Sequence, residues 1–135
     1  MALIPRRHPL NLIRVMPAKG RKAMPEYIRV LWKHDSPDEP IEMHYEVLED
    51  RAVVRMVERF IDGHANADTI EWRQARDPRH VGASLIDGAM LTALQIREET
   101  ESFTPGEFEA YESTRDEFEA AFLRATPLGT KGATQ

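Results

Sequence analysis

Cysteine is missing from all 135 residues. Its absence excludes disulfides, thiolate metal sites and a cysteine nucleophile, and is compatible with a reducing, cytoplasmic setting. Long apolar runs are missing too. No stretch approaches the roughly 20 consecutive apolar residues that a membrane-crossing helix needs. Gly-rich phosphate loops, a His-Glu-x-x-His pair, a Gly-x-Ser-x-Gly elbow and an EF-hand loop are likewise absent. Without them the chain reads as more non-enzymatic than enzymatic, with no cofactor and no metal.

Acid is absent from residues 1–25, where Arg6, Arg7, Arg14, Lys19, Arg21 and Lys22 give a charge of +6. Pro5, Pro9 and Pro17 interrupt the apolar residues there, which disfavours a secretory core or a clean amphipathic helix. Three readings stay open: a basic arm for an anionic surface, a targeting peptide, or a mis-assigned start. Met24 stands just before the first well-patterned strand, as an initiator would, so residues 1–25 are expected to be a disordered basic tail or not native sequence. The rest is acidic. Residues 26–135 carry 23 acids against 12 bases, a net charge of −11.

Apolar residues make up 41% of the chain and charged residues 30%, enough to bury one core and too apolar for wholesale disorder. A single domain over 26–125, followed by a disordered tail over 126–135, fits that size. Residues 27–34 are rich in β-branched and aromatic side chains, with Ile28, Val30 and Trp32 on one face and Arg29 and Lys33 on the other. Pro37 and Pro40 then break the chain. A second strand alternates cleanly: Ile41, Met43, Tyr45 and Val47 point one way, and Glu42, His44 and Glu46 the other. The third, from Ala52 to about Ile61, is apolar on both sides and so reads as central and covered on both faces. Asp62-Gly63 signals a type I′ hairpin. A fourth strand returns from Ala65 to about Ile70, with Trp72 extending it.

Residues 73–88 read as a loop, and 89–98 as a short helix with Met90, Leu91, Leu94 and Gln95 at helical spacing. The clearest helix begins at Thr114, where Glu117 completes a capping box; it buries Phe118, Ala121 and Phe122 and stops at Pro127. The expected fold is α+β, a meander of three or four antiparallel strands packed on one face by the C-terminal helix and a shorter one.

Glu42, His44 and Glu46 share a strand face, as metal ligands or an acid–base set would. They fit equally a solvated sheet face balanced by Arg29, Lys33, Arg55 and Arg59, which is the commoner arrangement. The polar connection from His34 to Pro40 reads either as a recognition loop or as a stiff turn. Trp32 shares its face with Ile28 and Val30 and is expected in the core. Nine acids between Glu98 and Glu119 suit solubility, or electrostatic pairing with a basic partner.

Residues 27–34, Glu39-Pro40 and the run Val57-Glu58-Arg59-Phe60-Ile61-Asp62-Gly63 resemble a family of short bacterial domains of unknown function. In that family a Tyr-x-x-Val-x-Trp-x-His strand precedes a Glu-Pro turn and a Val-Glu-x-Phe-x-Asp-Gly hairpin. Glu117, Phe118 and Glu119 fit its last helix. The resemblance covers about 26–125 and departs at 73–92, which reads as an insertion. It implies a compact α+β domain and no established reaction. It directs attention to Trp32, His34, Glu39, Tyr45 and Arg51, and to Glu58, which the strand pattern leaves without an obvious partner.

Two functions follow as expectations. The first is a non-enzymatic, acidic protein-binding domain, in its specific form an immunity-type inhibitor of a basic bacterial toxin. The second is a small metal- or ligand-binding enzyme using the face of Glu42, His44 and Glu46. Nucleic acid suits the acidic body poorly, a membrane is not expected as a partner, and an open edge strand leaves room for a homodimer.

Overall fold

A computed structural model describes residues 24–80 and 82–128. The expected tails at 1–23 and 129–135 lie outside the described residues. Four strands follow the anticipated meander: β1 (Glu26–Trp32), β2 (Glu42–Val47), β3 (Val53–Arg59) and β4 (Ala65–Thr69). The remaining elements are α1 (Ile70–Arg76), α2 (Ala93–Phe103), β5 (Phe108–Glu112), α3 (Arg115–Arg124) and β6 (Thr126–Pro127). The sheet is therefore larger than expected, six strands in the order β5-β1-β2-β3-β4-β6. It is mixed, because β6 runs parallel to β4 while every other pair is antiparallel. Both additions are hard to read locally. β5 is short and half acidic, and β6 is two residues ending in proline, within the stretch expected to be tail.

The two hairpin turns share one geometry. Between β2 and β3, Arg51 donates its N–H to Leu48 and Leu48 donates to Ala52. Between β3 and β4, Gly63 donates to Phe60 and Phe60 to His64. In each turn only the residue two places before the second strand takes positive φ, 71° at Arg51 and 96° at Gly63. These are type I turns followed by a left-handed residue, and the expected type I′ turn at Asp62-Gly63 does not form. Arg51 occupies a position that glycine would fill without strain.

Both faces of the sheet are covered, so the domain has three layers where two were expected. Ile28, Val30, Trp32, Met43 and Tyr45 form one core with Leu85, Ile86, Met90, Leu91 and Ile96. On the opposite face Tyr27, Val57 and Ala67 pack against Phe118 of α3. β3 is central as read from its two apolar sides, although a register shift opposite Glu46 and Val47 puts Val53 and Met56 in the same core.

The helices between β4 and β5 differ from expectation. Thr69 ends β4 and caps α1, its Oγ1 accepting the Trp72 N–H at 3.0 Å, so Trp72 lies in a helix and not in an extended strand. Thr92 caps α2, and Gln95 returns the bond in a capping box. The helix therefore starts at Ala93 and buries Ala93, Ile96 and Thr100. Met90 and Leu91 are buried ahead of it, and Leu94 is exposed. At α3 Thr114 accepts from the Glu117 N–H, but the Glu117 side chain accepts from Ser113 Oγ in place of closing a box. Along the outer edge of β5, Arg97 from α2 donates to the Ala110 carbonyl at 2.7 Å, which occupies a group that edge pairing would use.

Candidate functional site

The face of Glu42, His44 and Glu46 is not solvated. All three are buried, with α3 packed over this side of the sheet. Antiparallel register explains how they are neutralised: Arg29 lies opposite His44, Arg59 opposite Glu42, and Arg55 opposite Glu46. Arg29 Nε donates to Glu42 Oε2 and Arg59 Nε to Glu42 Oε1, each at 2.7 Å. Arg55 donates through Nε and Nη2 to the two oxygens of Glu46, and again to Glu119 of α3. Its guanidinium also lies 4.8 Å from the ring centroids of Phe118 and Phe122, a cation–π clamp that ties α3 to the sheet. Tyr27 Oη completes the set, donating to Glu46 at 2.8 Å.

The electrostatics follow from this pairing. Burial pushes the Glu42 carboxyl up, but hydrogen bonds from Arg59 and Arg29 outweigh it and hold the group below its usual range. Glu46 is lowered in the same manner, against burial, by Arg55 and Tyr27. His44 is also lowered, mainly by burial, with the nearby Glu42 opposing. It is therefore a neutral imidazole near pH 7, with Nε2 at 3.2 Å from Glu42 Oε2. The three groups do not converge as a metal-ligand set. Glu42 and His44 touch, Glu46 belongs to a separate cluster around Arg55, and no group of three suitable ligands occurs among the described residues. Arg29, Arg55 and Arg59 balance the face as expected, whereas Lys33 pairs with Glu109 on β5.

The six residues singled out from the sequence do not gather into one site. Trp32 is buried, stacks on Phe108 at 5.3 Å and donates Nε1–H to Glu107. His34 holds the 35–40 connection in shape. Its Nδ1 accepts the Ser36 N–H, so the proton is on Nε2, which donates to the Pro40 carbonyl at 2.9 Å. Glu39 is half-buried in that connection. Tyr45 and Glu58 are buried, and both make interactions within the fold, so Glu58 is not the unpartnered acid that the strand pattern suggested. Arg51 is a buried brace: Nε and Nη2 donate to the Met90 and Leu91 carbonyls, and Nη1 to Glu26.

Sequence reasoning passed over the distribution of charge between inside and outside. Arg29, Arg51, Arg55, Arg59, Arg73 and Arg76 all pair with acids that are buried or half-buried. Glu98, Glu99, Glu101, Glu107, Glu112 and Asp116 make no ion pair among the described residues. The same is true of Asp35, Asp38 and Glu39, and the bond from the Lys33 N–H to the Glu107 carbonyl brings that connection against the start of β5. A meander register drawn from the sequence would have exposed this, by matching Glu42 to Arg59 and Glu46 to Arg55.

A family model described as "Domain of unknown function (DUF6881)" matches residues 26–127. The chain belongs to this family. The matched span runs through 73–92, the stretch that looked like an insertion, and that stretch supplies Leu85, Ile86, Met90 and Leu91 to the core. No curated protein and no solved structure matches the chain. No helix among the described residues is long and apolar enough to cross a membrane.

Proposed function

We propose that this DUF6881 domain is a non-enzymatic binding module that presents an acidic surface to a basic protein partner. One observation carries the reading: internal ion pairs consume the arginines of β1, β3 and α1, so the acids of α2 and of the 35–39 connection, with Glu107 and Glu112 at the two ends of β5, make no ion pair among the described residues. Such a surface accelerates encounter with a cationic partner and repels nucleic acid phosphates. In its specific form the domain is an immunity-type inhibitor of a basic toxin, acting in a bacterial cytoplasm. Trp32 and His34 then serve indirectly, by bracing the acidic connection beside Glu107.

The test is capture from host lysate with the native chain and with a variant in which Glu98, Glu101, Glu107 and Glu112 are changed to glutamine. A basic protein held at low salt, released as salt rises and lost by the variant is the expected result. Inhibition of that protein's toxicity on co-expression would establish the immunity role. If the folded variant retains the same proteins as the native chain, the proposal is wrong.

A further inference from the structure

The sheet face beneath α3 is open at one end. A groove of about 550 Å³ lies there, within the range of small-molecule pockets. Arg29, Glu42, His44 and Arg59 form its polar lining from the sheet, the hairpin at 63–65 forms one wall, and α3 forms the other. The helix wall is low because Ala120 and Ala121 are small, and Glu117 and Arg124 stand on either side of them along the helix.

Three features point to one kind of occupant. The groove has three arginines against Glu42 and Glu117, a local excess of positive charge in an otherwise acidic body. Its cations also keep donors in reserve. Arg29 gives only Nε to Glu42, and Arg124 makes no hydrogen bond or ion pair among the described residues. Glu42 holds Arg29 and Arg59 from opposite oxygens, so their forks are oriented before anything binds, which lowers the ordering cost. Lastly, His44 is only 9% exposed and its Nδ1 has no hydrogen-bond partner among the described residues. With Nε2–H directed to Glu42, Nδ1 is a buried acceptor that lacks a donor.

We propose that this groove binds a compact hydroxylated anion, its charged group held by Arg29, Arg59 and Arg124 and its hydroxyl donating to His44 Nδ1. A short hydroxycarboxylate and a phosphate group share that chemistry. The site is separate from the acidic surface of α2 and β5 and stands or falls without it.

The experiment is an NMR titration of the ¹⁵N-labelled full chain at constant ionic strength and pH 7. The probes are 3-hydroxybutyrate, butyrate and inorganic phosphate. The expected result is that 3-hydroxybutyrate or phosphate shifts the amides of His44, Ala120 and Ala121 and the ring nitrogens of His44. 3-Hydroxybutyrate should bind about tenfold tighter than butyrate, the scale of one hydrogen bond to a buried acceptor. Response to 3-hydroxybutyrate identifies a hydroxycarboxylate site, and response to phosphate alone identifies a phosphate site. Arg124→Gln, at an exposed side chain in the last turn of α3, should weaken binding several-fold. His44→Phe should abolish the preference for the hydroxylated acid. Equal affinity for both carboxylates with no phosphate binding, no shifts at the groove, or shifts that Arg124→Gln leaves unchanged would overturn the proposal. The last two readouts need no substitution at buried His44.

Discussion

Replacing Glu42 with glutamine isolates the charge at the centre of the buried polar face while keeping its shape. The carboxylate is 9% exposed and accepts from Arg29 on one oxygen and from Arg59 on the other. An amide can face only one of them with an acceptor; its NH₂ meets the other donor head-on. Removing one member of a fully buried ion pair costs about 3–5 kcal/mol. Here Arg29 and Arg59 are 37% and 42% exposed and can recover water, so the loss is discounted to about 2 kcal/mol. For a domain of ~100 residues that lowers Tm by roughly 8–16 °C. The pH dependence has a definite sign. The folded-state pKa of Glu42 lies below its ordinary value of 4.5, so its stabilisation is present above that pH and is lost as pH falls through the lower folded value. Urea unfolding of both proteins, followed by tryptophan fluorescence from pH 7 to pH 3, should therefore show a gap that narrows in acid. A gap below about 0.5 kcal/mol at pH 7, within the spread of ordinary surface substitutions, would refute the reasoning. So would a gap that persists unchanged at pH 3.

Other outcomes follow from single residues. His44 titrates below its ordinary 6.5, chiefly through burial and against the pull of Glu42; the unfolded chain takes up its proton first, so stability should fall as pH drops below that value. His44→Gln should flatten the slope of unfolding free energy between pH 7 and pH 5, and equal slopes would contradict the assignment. Arg51→Gly relieves a left-handed conformation worth about 1–2 kcal/mol, yet strips donors from two buried carbonyls and from Glu26. A net destabilisation of about 2 kcal/mol is expected in urea titration, and a glycine variant as stable as the parent would show that the brace is unimportant. Phe118→Ala empties the one fully buried side chain of α3 and should cost about 3–5 kcal/mol by the same assay.

Much of the meander was legible because its signals are local. Alternation in 41–47 placed Met43 and Tyr45 opposite Glu42, His44 and Glu46, and apolar residues on both sides of β3 marked it as central. Gly63 announced a turn, though not its type, since glycine at positive φ suits several. The caps at Thr69 and Thr92 are equally local: they start α1 at Ile70, where alternation alone suggests a continuing strand, and α2 at Ala93, four residues after apolar spacing alone would start it. β5 could not be read in this way. Its sequence, Phe108-Glu109-Ala110-Tyr111-Glu112, is weakly patterned, and it becomes a strand because Trp32 stacks on Phe108 and β1 offers a free edge.

The candidate site divides along the same line. Alternation alone put a histidine between two glutamates on one face, and the acidic excess of 26–135 was a matter of counting. Whether that face met water or a helix depended on where α3 packed. Tertiary structure buried it, turned Arg29, Arg55 and Arg59 inward to neutralise it, and so left Glu98, Glu99, Glu101, Glu107, Glu112 and Asp116 without an ion pair among the described residues. Glu58 shows the same limit, since the strand's own pattern carried no sign of the interaction that it makes in the fold. Periodicity reports which side chains share a face, because that depends on neighbours two residues away. What covers the face depends on contacts across tens of residues, and no local pattern encodes those.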